Sequence, residues 1–267
     1  MNKIIRTALP TAALSAVLLL GAVAAEASHS WGGYHWARTS NPFTIKLGNN
    51  LTGSWGSYLA TASTDWTVSV VLDTTIVAGN GGRNCKATAG RVEVCNRTYG
   101  SNGWLGIAQI WITGSHITQG VVKLNDTYFN TPTYNTSAWR NLVMCQEVGH
   151  TFGLGHQDEN FSNANLNTCM DYTSNPASNQ HPNQHDYDQL ALIYAHLDST
   201  TTVVQTTTSS GRATGNDADS NDPKAWGKEI HRSVDGRSSV FEEDRGNGQK
   251  IIRHVFWTEP RGHHPHE

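Results

Sequence analysis

The chain has 267 residues, 15% of them charged, a formal net charge of −3, and 25 Gly, 13 His and 9 Trp. That charge is below the roughly 25% of an average soluble domain, and its balance gives no electrostatic grip on phosphate backbones or anionic membranes. A basic nucleic-acid binder, a coiled coil and a long disordered chain are thereby excluded, and a secreted, β-rich chain is expected.

In chain order, Lys3 and Arg6 make a basic start, an apolar stretch runs from Ala8 to Ala25, and Ala25-Glu26-Ala27 is a small-x-small cleavage pattern. Residues 1–27 therefore read as a secretory signal peptide. Pro10 interrupts a run already short for a membrane span, so no span is expected. Phe43, Ile45 and Leu47 alternate with polar residues as in a half-buried strand. Trp55, Leu59, Ala62 and Trp66 recur at helical spacing. Val68 to Leu72 is β-branched enough for a central strand, and Asn80-Gly81-Gly82 signals a turn. Strands are expected at Val92–Cys95, Leu105–Ile112 and Val121–Leu124. A helix capped by Asn135 or Ser137 should run to His150, and another should span Asp186 to Leu197.

Residues 199–222 are nearly all Thr, Ser, Gly, Asn and Asp, the composition of a flexible linker. Beyond them, Glu229–Val234, Arg237–Asp244 and Gln249–Trp257 read as strands. Asp235-Gly236 and Gly246-Asn247-Gly248 supply the hairpin turns. This small β-rich extension, 223–267, is too short for a robust core of its own, so it should dock on something or be only marginally ordered.

Four cysteines in an exported chain point to two disulfides. The sequence permits three pairings; Cys85–Cys95 closes a short hairpin and leaves Cys145–Cys169, and that pairing is preferred. A zinc site of all four cysteines lacks the close Cys-x-x-Cys pairs such sites use.

The chemistry lies in residues 145–158. On a helix Gln146 and His150 share a face with Glu147 beside them. Gly153 can end the helix at positive φ, and the turn can return His156 to His150. Two imidazoles, one further donor and an open position describe a catalytic zinc site, with Glu147 placed to take a proton from water.

With Glu147, His150, Gly153 and His156 in register, the chain resembles the metzincin zinc endopeptidases, whose motif is His-Glu-x-x-His-x-x-Gly-x-x-His. Thr168-Cys169-Met170-Asp171-Tyr172 resembles the family's methionine turn. The resemblance covers roughly residues 40–198. It implies an α+β zincin domain, 28–198, with a twisted mixed sheet, an active-site helix, a Met-turn and a C-terminal helix. It also implies Zn2+ as cofactor, Glu147 as general base, His150 and His156 as ligands, Met170 as the floor beneath the metal, and Tyr172 as a metal ligand or a support for the transition state. One departure stands out: Gln146 occupies the place of the first His. Its neutral amide oxygen is a poorer donor than imidazole, and Asp158 and Tyr172 are alternative third donors. The expected activity is hydrolysis of a protein or peptide substrate by a secreted monomer. The alternatives are a site tuned for another ion, or a catalytically inactive secreted binding protein on the same scaffold.

Among weaker signals, His181, His185, Asp186 and Asp188 read as capping and first-turn residues of the last helix. His263, His264 and His266 read as a solvated tail, and Trp31, Tyr34 and Trp36 as packing residues. The stretch from Ser28 to Thr39 contains no Cys that would cap a metal, so no inhibitory N-terminal propeptide is expected.

Overall fold

The computed structural model describes residues 29–203 and 221–259; the signal segment, most of the polar linker and the three C-terminal histidines lie outside them. Its elements in chain order are β1 (His35–Trp36), β2 (Phe43–Asn50), α1 (Trp55–Trp66), β3 (Leu72–Ala78), β4 (Val92–Arg97), β5 (Trp104–Thr113), β6 (His116–Asn125), α2 (Asp126–Phe129), α3 (Ser137–His150), α4 (Gln184–Ile193), β7 (Lys228–Arg232), β8 (Ser238–Gly246) and β9 (Gln249–Trp257). The fold is mixed α+β around one large mixed sheet, of order β3-β2-β4-β6-β5-β9-β8-β7, with β1 on β6. Neighbours from β3 to β6 are parallel, and β5 runs antiparallel to β6.

The helix from Trp55 to Trp66 forms because Trp55, Leu59, Ala62 and Trp66 make one buried stripe. It packs on α3, and the Trp66 indole donates to the Cys145 carbonyl at 3.1 Å. The strand expected at Val68 starts instead at Leu72. The amides of Val68 and Ser69 bond back to Asp65 and Trp66, so this apolar run is used up in the turn leaving the helix, with Val68 and Val70 exposed. The Thr136 hydroxyl caps α3 by accepting from the Trp139 amide, a role the sequence suggested for Asn135 or Ser137. Asn183 and Asp186 form a reciprocal capping box on α4, which stops at Ile193 and leaves Leu197 exposed. Trp36 is fully buried and donates to the Thr151 carbonyl at 2.9 Å, a packing role.

The C-terminal extension continues the main sheet. β9 pairs antiparallel with the β5 edge, placing Phe256 opposite Gly106 and His254 opposite Ala108. Three short strands of this size lack a core, so the pairing supplies one. Trp226, Phe241, Val255 and Trp257 pack with Trp104 and Ile107 on one face, while Ile252 and Phe256 join the main core on the other. Disulfides join Cys85 to Cys95 and Cys145 to Cys169. Among the described residues no helix is long and apolar enough to cross a membrane.

Candidate metal centre

The buried face of α3 carries Gln146, Glu147 and His150, none more than 1% exposed. Four carbonyls and two glycines shape the turn that follows. Gly153 sits at φ +95°, and a Cβ there would run into the Tyr34 carbonyl, so both conformation and space demand glycine. Its own carbonyl accepts from the Trp31 amide at 2.6 Å, and Gly155 donates to the His29 carbonyl. His150 Nδ1 donates to the Leu154 carbonyl at 2.8 Å, which leaves the Nε2 lone pair facing outward. That nitrogen lies 3.0 Å from His156 Nε2, with the two rings edge to face.

Met170 is fully buried beneath α3, its sulfur 2.9 Å from where a Cβ on Gly149 would stand. The Met170 carbonyl accepts from the Gln157 amide at 2.7 Å, tying this turn to the segment leaving His156. The Tyr172 ring lies on His156, with centroids 4.0 Å apart. The Cys145–Cys169 bridge links the helix to this same turn. Gln146 Nε2 donates to the Cys169 carbonyl at 2.9 Å, while its buried Oε1 has no hydrogen-bond partner. An orphaned buried acceptor costs about 1–3 kcal/mol unless something binds it.

Asp158, weighed as a substitute ligand, is engaged elsewhere. Its carboxylate accepts from the Asn160 amide and from Asn163 Nδ2 at 2.9 Å, within its own loop. The group that converges on His150 and His156 comes instead from β9: His150, His156 and His254 bring ligand atoms within 4.8 Å of one another. His254 Nδ1 lies 3.0 Å from Glu147 Oε2, and its Nε2 lies 3.2 Å from the Tyr172 hydroxyl and 3.0 Å from Ser238 Oγ. Sequence reasoning missed His254 because residues 223–267 were read as a separate appendage. Its signal was a polar residue in register between Ile252 and Phe256 on a strand otherwise buried.

Electrostatics follow from burial. Desolvation pushes Glu147 up to about 8, against the opposing charge of His150 and the Ala108 amide. It pushes His150 and His254 down to about 3, and His156 well below its usual range. The imidazoles are therefore neutral at neutral pH, the form that binds metal. A cavity of about 280 Å³ reaches His150, His156 and His254 past His29, Trp31 and His231. Glu147 does not line it.

No protein-family model and no curated protein matches the chain. Two solved structures of myroilysin are similar at 14% identity: one match covers 62% of this chain and 98% of that one with a TM-score of 0.36, the other 60% and 86% with a TM-score of 0.34. At these values the likeness bears on neither the site nor its chemistry.

Proposed function

We propose that the chain is a secreted, zinc-dependent endopeptidase in which His150, His156 and Gln146 hold the ion and Glu147 is the general base. The observation that carries this reading is the meeting of His150 Nε2 and His156 Nε2 at 3.0 Å, with Glu147 on the same helix beside them. The residues fit a zinc ion. Two neutral imidazoles present their Nε2 lone pairs, and the orphaned Oε1 of Gln146 is an acceptor without a protein partner. A zinc ion bound there supplies Lewis acidity toward water and a scissile carbonyl. Glu147 in its ionised form, whose share rises as pH approaches its raised value of about 8, takes a proton from the attacking water and returns it to the leaving amine. Tyr172, buried against His156, offers its hydroxyl to the developing oxyanion.

His254 lies across this chemistry. It occupies Glu147 Oε2 and the Tyr172 hydroxyl together, and β9 fills the β5 edge that passes over Glu147. An extended peptide reaching Glu147 along β5 has to take the place of β9. That sealing also favours the second reading, a secreted non-catalytic binding protein that keeps the scaffold.

The test is metal content together with cleavage of an unfolded polypeptide, with and without a chelator. The account expects bound zinc and chelator-sensitive cleavage; metal-free protein overturns it. Gln146→His should raise zinc affinity at least tenfold, since imidazole replaces an amide oxygen. Unchanged affinity would mean that position 146 does not face the ion.

A further inference from the structure

A second set of donors converges where β1, the start of β6 and the chain leaving α4 meet. His35 Nε2 lies 3.1 Å from His196 Nε2 and 3.7 Å from Asp198 Oδ1. His116 Nε2 lies 3.1 Å and His196 Nε2 3.7 Å from that same carboxylate oxygen. A tetrahedral ion with bonds of about 2.1 Å separates its donors by about 3.4 Å. The three distances among His35, His196 and Asp198 bracket that value.

The surrounding contacts orient the donors as outer partners of a metal site do. His35 Nδ1 donates to the Gly33 carbonyl at 3.0 Å, so its Nε2 carries a lone pair toward the cluster. Asp198 Oδ2 accepts from Arg38 Nη1 at 2.9 Å and from the Arg38 amide at 3.2 Å, which leaves Oδ1 turned to the three imidazoles. His35 and Asp198 are mostly buried, with side chains 8% and 11% exposed, and His116 and His196 close the outer side at 36% and 53%. Without an ion the His35 Nε2 lone pair accepts from His196 Nε2–H, and a zinc ion would take that place once His196 carries its proton on Nδ1.

We propose that His35, His196 and Asp198 bind a second zinc ion, with a structural role, and that His116 holds the Asp198 carboxylate from its outer side. Two imidazoles and a carboxylate are a nitrogen-rich set that suits zinc and not calcium or magnesium. His35, His196 and Asp198 bring their ligand atoms within 4.8 Å of one another and supply three protein donors to the ion. The ion clamps β1 and the segment following α4 together beside the start of β6, at a junction that neither disulfide reaches.

The experiment is zinc titration of the full chain after chelator stripping, read as zinc per chain and as the thermal unfolding midpoint. The wild type should bind two zinc ions. His150→Ala should bind one, and so should His116→Ala/His196→Ala, whose side chains are exposed enough to leave folding intact. In the His150→Ala background, zinc at a hundredfold excess over Kd should raise the midpoint by roughly 5–10 °C. Adding His116→Ala/His196→Ala should abolish that rise, and with cobalt as probe should abolish the tetrahedral visible band. The inference is overturned if His150→Ala binds no zinc, or if His116→Ala/His196→Ala binds as much as wild type. Each site is measured with the other removed, so failure at the first centre is distinguishable from failure here.

Discussion

Gly153→Ala perturbs the turn on which the first centre depends. At φ +95° an L-residue lies beyond the left-handed helical well, whose occupation alone costs about 1–2 kcal/mol. The new methyl also meets the Tyr34 carbonyl, a backbone atom that cannot rotate away, and overpacking of this kind adds about 1–3 kcal/mol. The expected destabilisation is about 3 kcal/mol, or a midpoint lower by roughly 10 °C for a chain of this size. Gly53→Ala is the control, because Gly53 also has positive φ, +63°, but nothing stands within 4 Å of its Cβ position. Scanning calorimetry of both variants isolates the close approach from the backbone conformation. Gly153→Ala should also weaken zinc binding, since the same turn returns His156 to His150. Equal losses in the two variants, with unchanged zinc affinity, would refute the reasoning.

His254→Ala should free Glu147 and Tyr172, leaving zinc content unchanged while raising cleavage of an unfolded polypeptide; loss of zinc from the first centre would instead make His254 a ligand. Replacing Cys145 and Cys169 with Ser opens a 24-residue loop and should cost about 3 kcal/mol in denaturant unfolding. A loss below about 1 kcal/mol would show that the helix and the turn around Met170 are held together without the bridge. Burial tends to raise the Glu243 carboxyl, but hydrogen bonds from Arg245 and Arg253 outweigh it and hold the group below its usual 4.5. A carboxylate depressed in the folded state contributes stability above its unfolded value, and loses it as pH falls through the folded one. Glu243→Gln should therefore flatten the acid limb of the midpoint–pH curve. It also leaves the buried Arg253 guanidinium without its 2.8 Å carboxylate partner, so the neutral-pH midpoint should drop as well.

Much of the fold was legible because its signals are local. The Trp55–Trp66 stripe, the alternation at Phe43–Leu47 and the Gly-bounded hairpins of the extension each encode one element through spacing alone. Val68–Leu72 departs from its β-branched signal because the Val68 and Ser69 amides bond back to the end of the helix, and only the tertiary register shows that pairing begins at Leu72. The convergence of Glu147, His150 and His156 was readable from helical spacing and one glycine. His254 was not, because its role depends on β9 pairing with β5 across more than a hundred residues. The cluster of His35, His116, His196 and Asp198 was hidden for the same reason, since three distant segments meet there and no motif spans them.

The most direct test of the central chemistry is polypeptide cleavage by Glu147→Gln, in the wild-type and His254→Ala backgrounds, at matched zinc content. The account predicts zinc retained and cleavage reduced by about 10²–10⁴-fold. Cleavage at the parental rate by a zinc-loaded Glu147→Gln protein would contradict it.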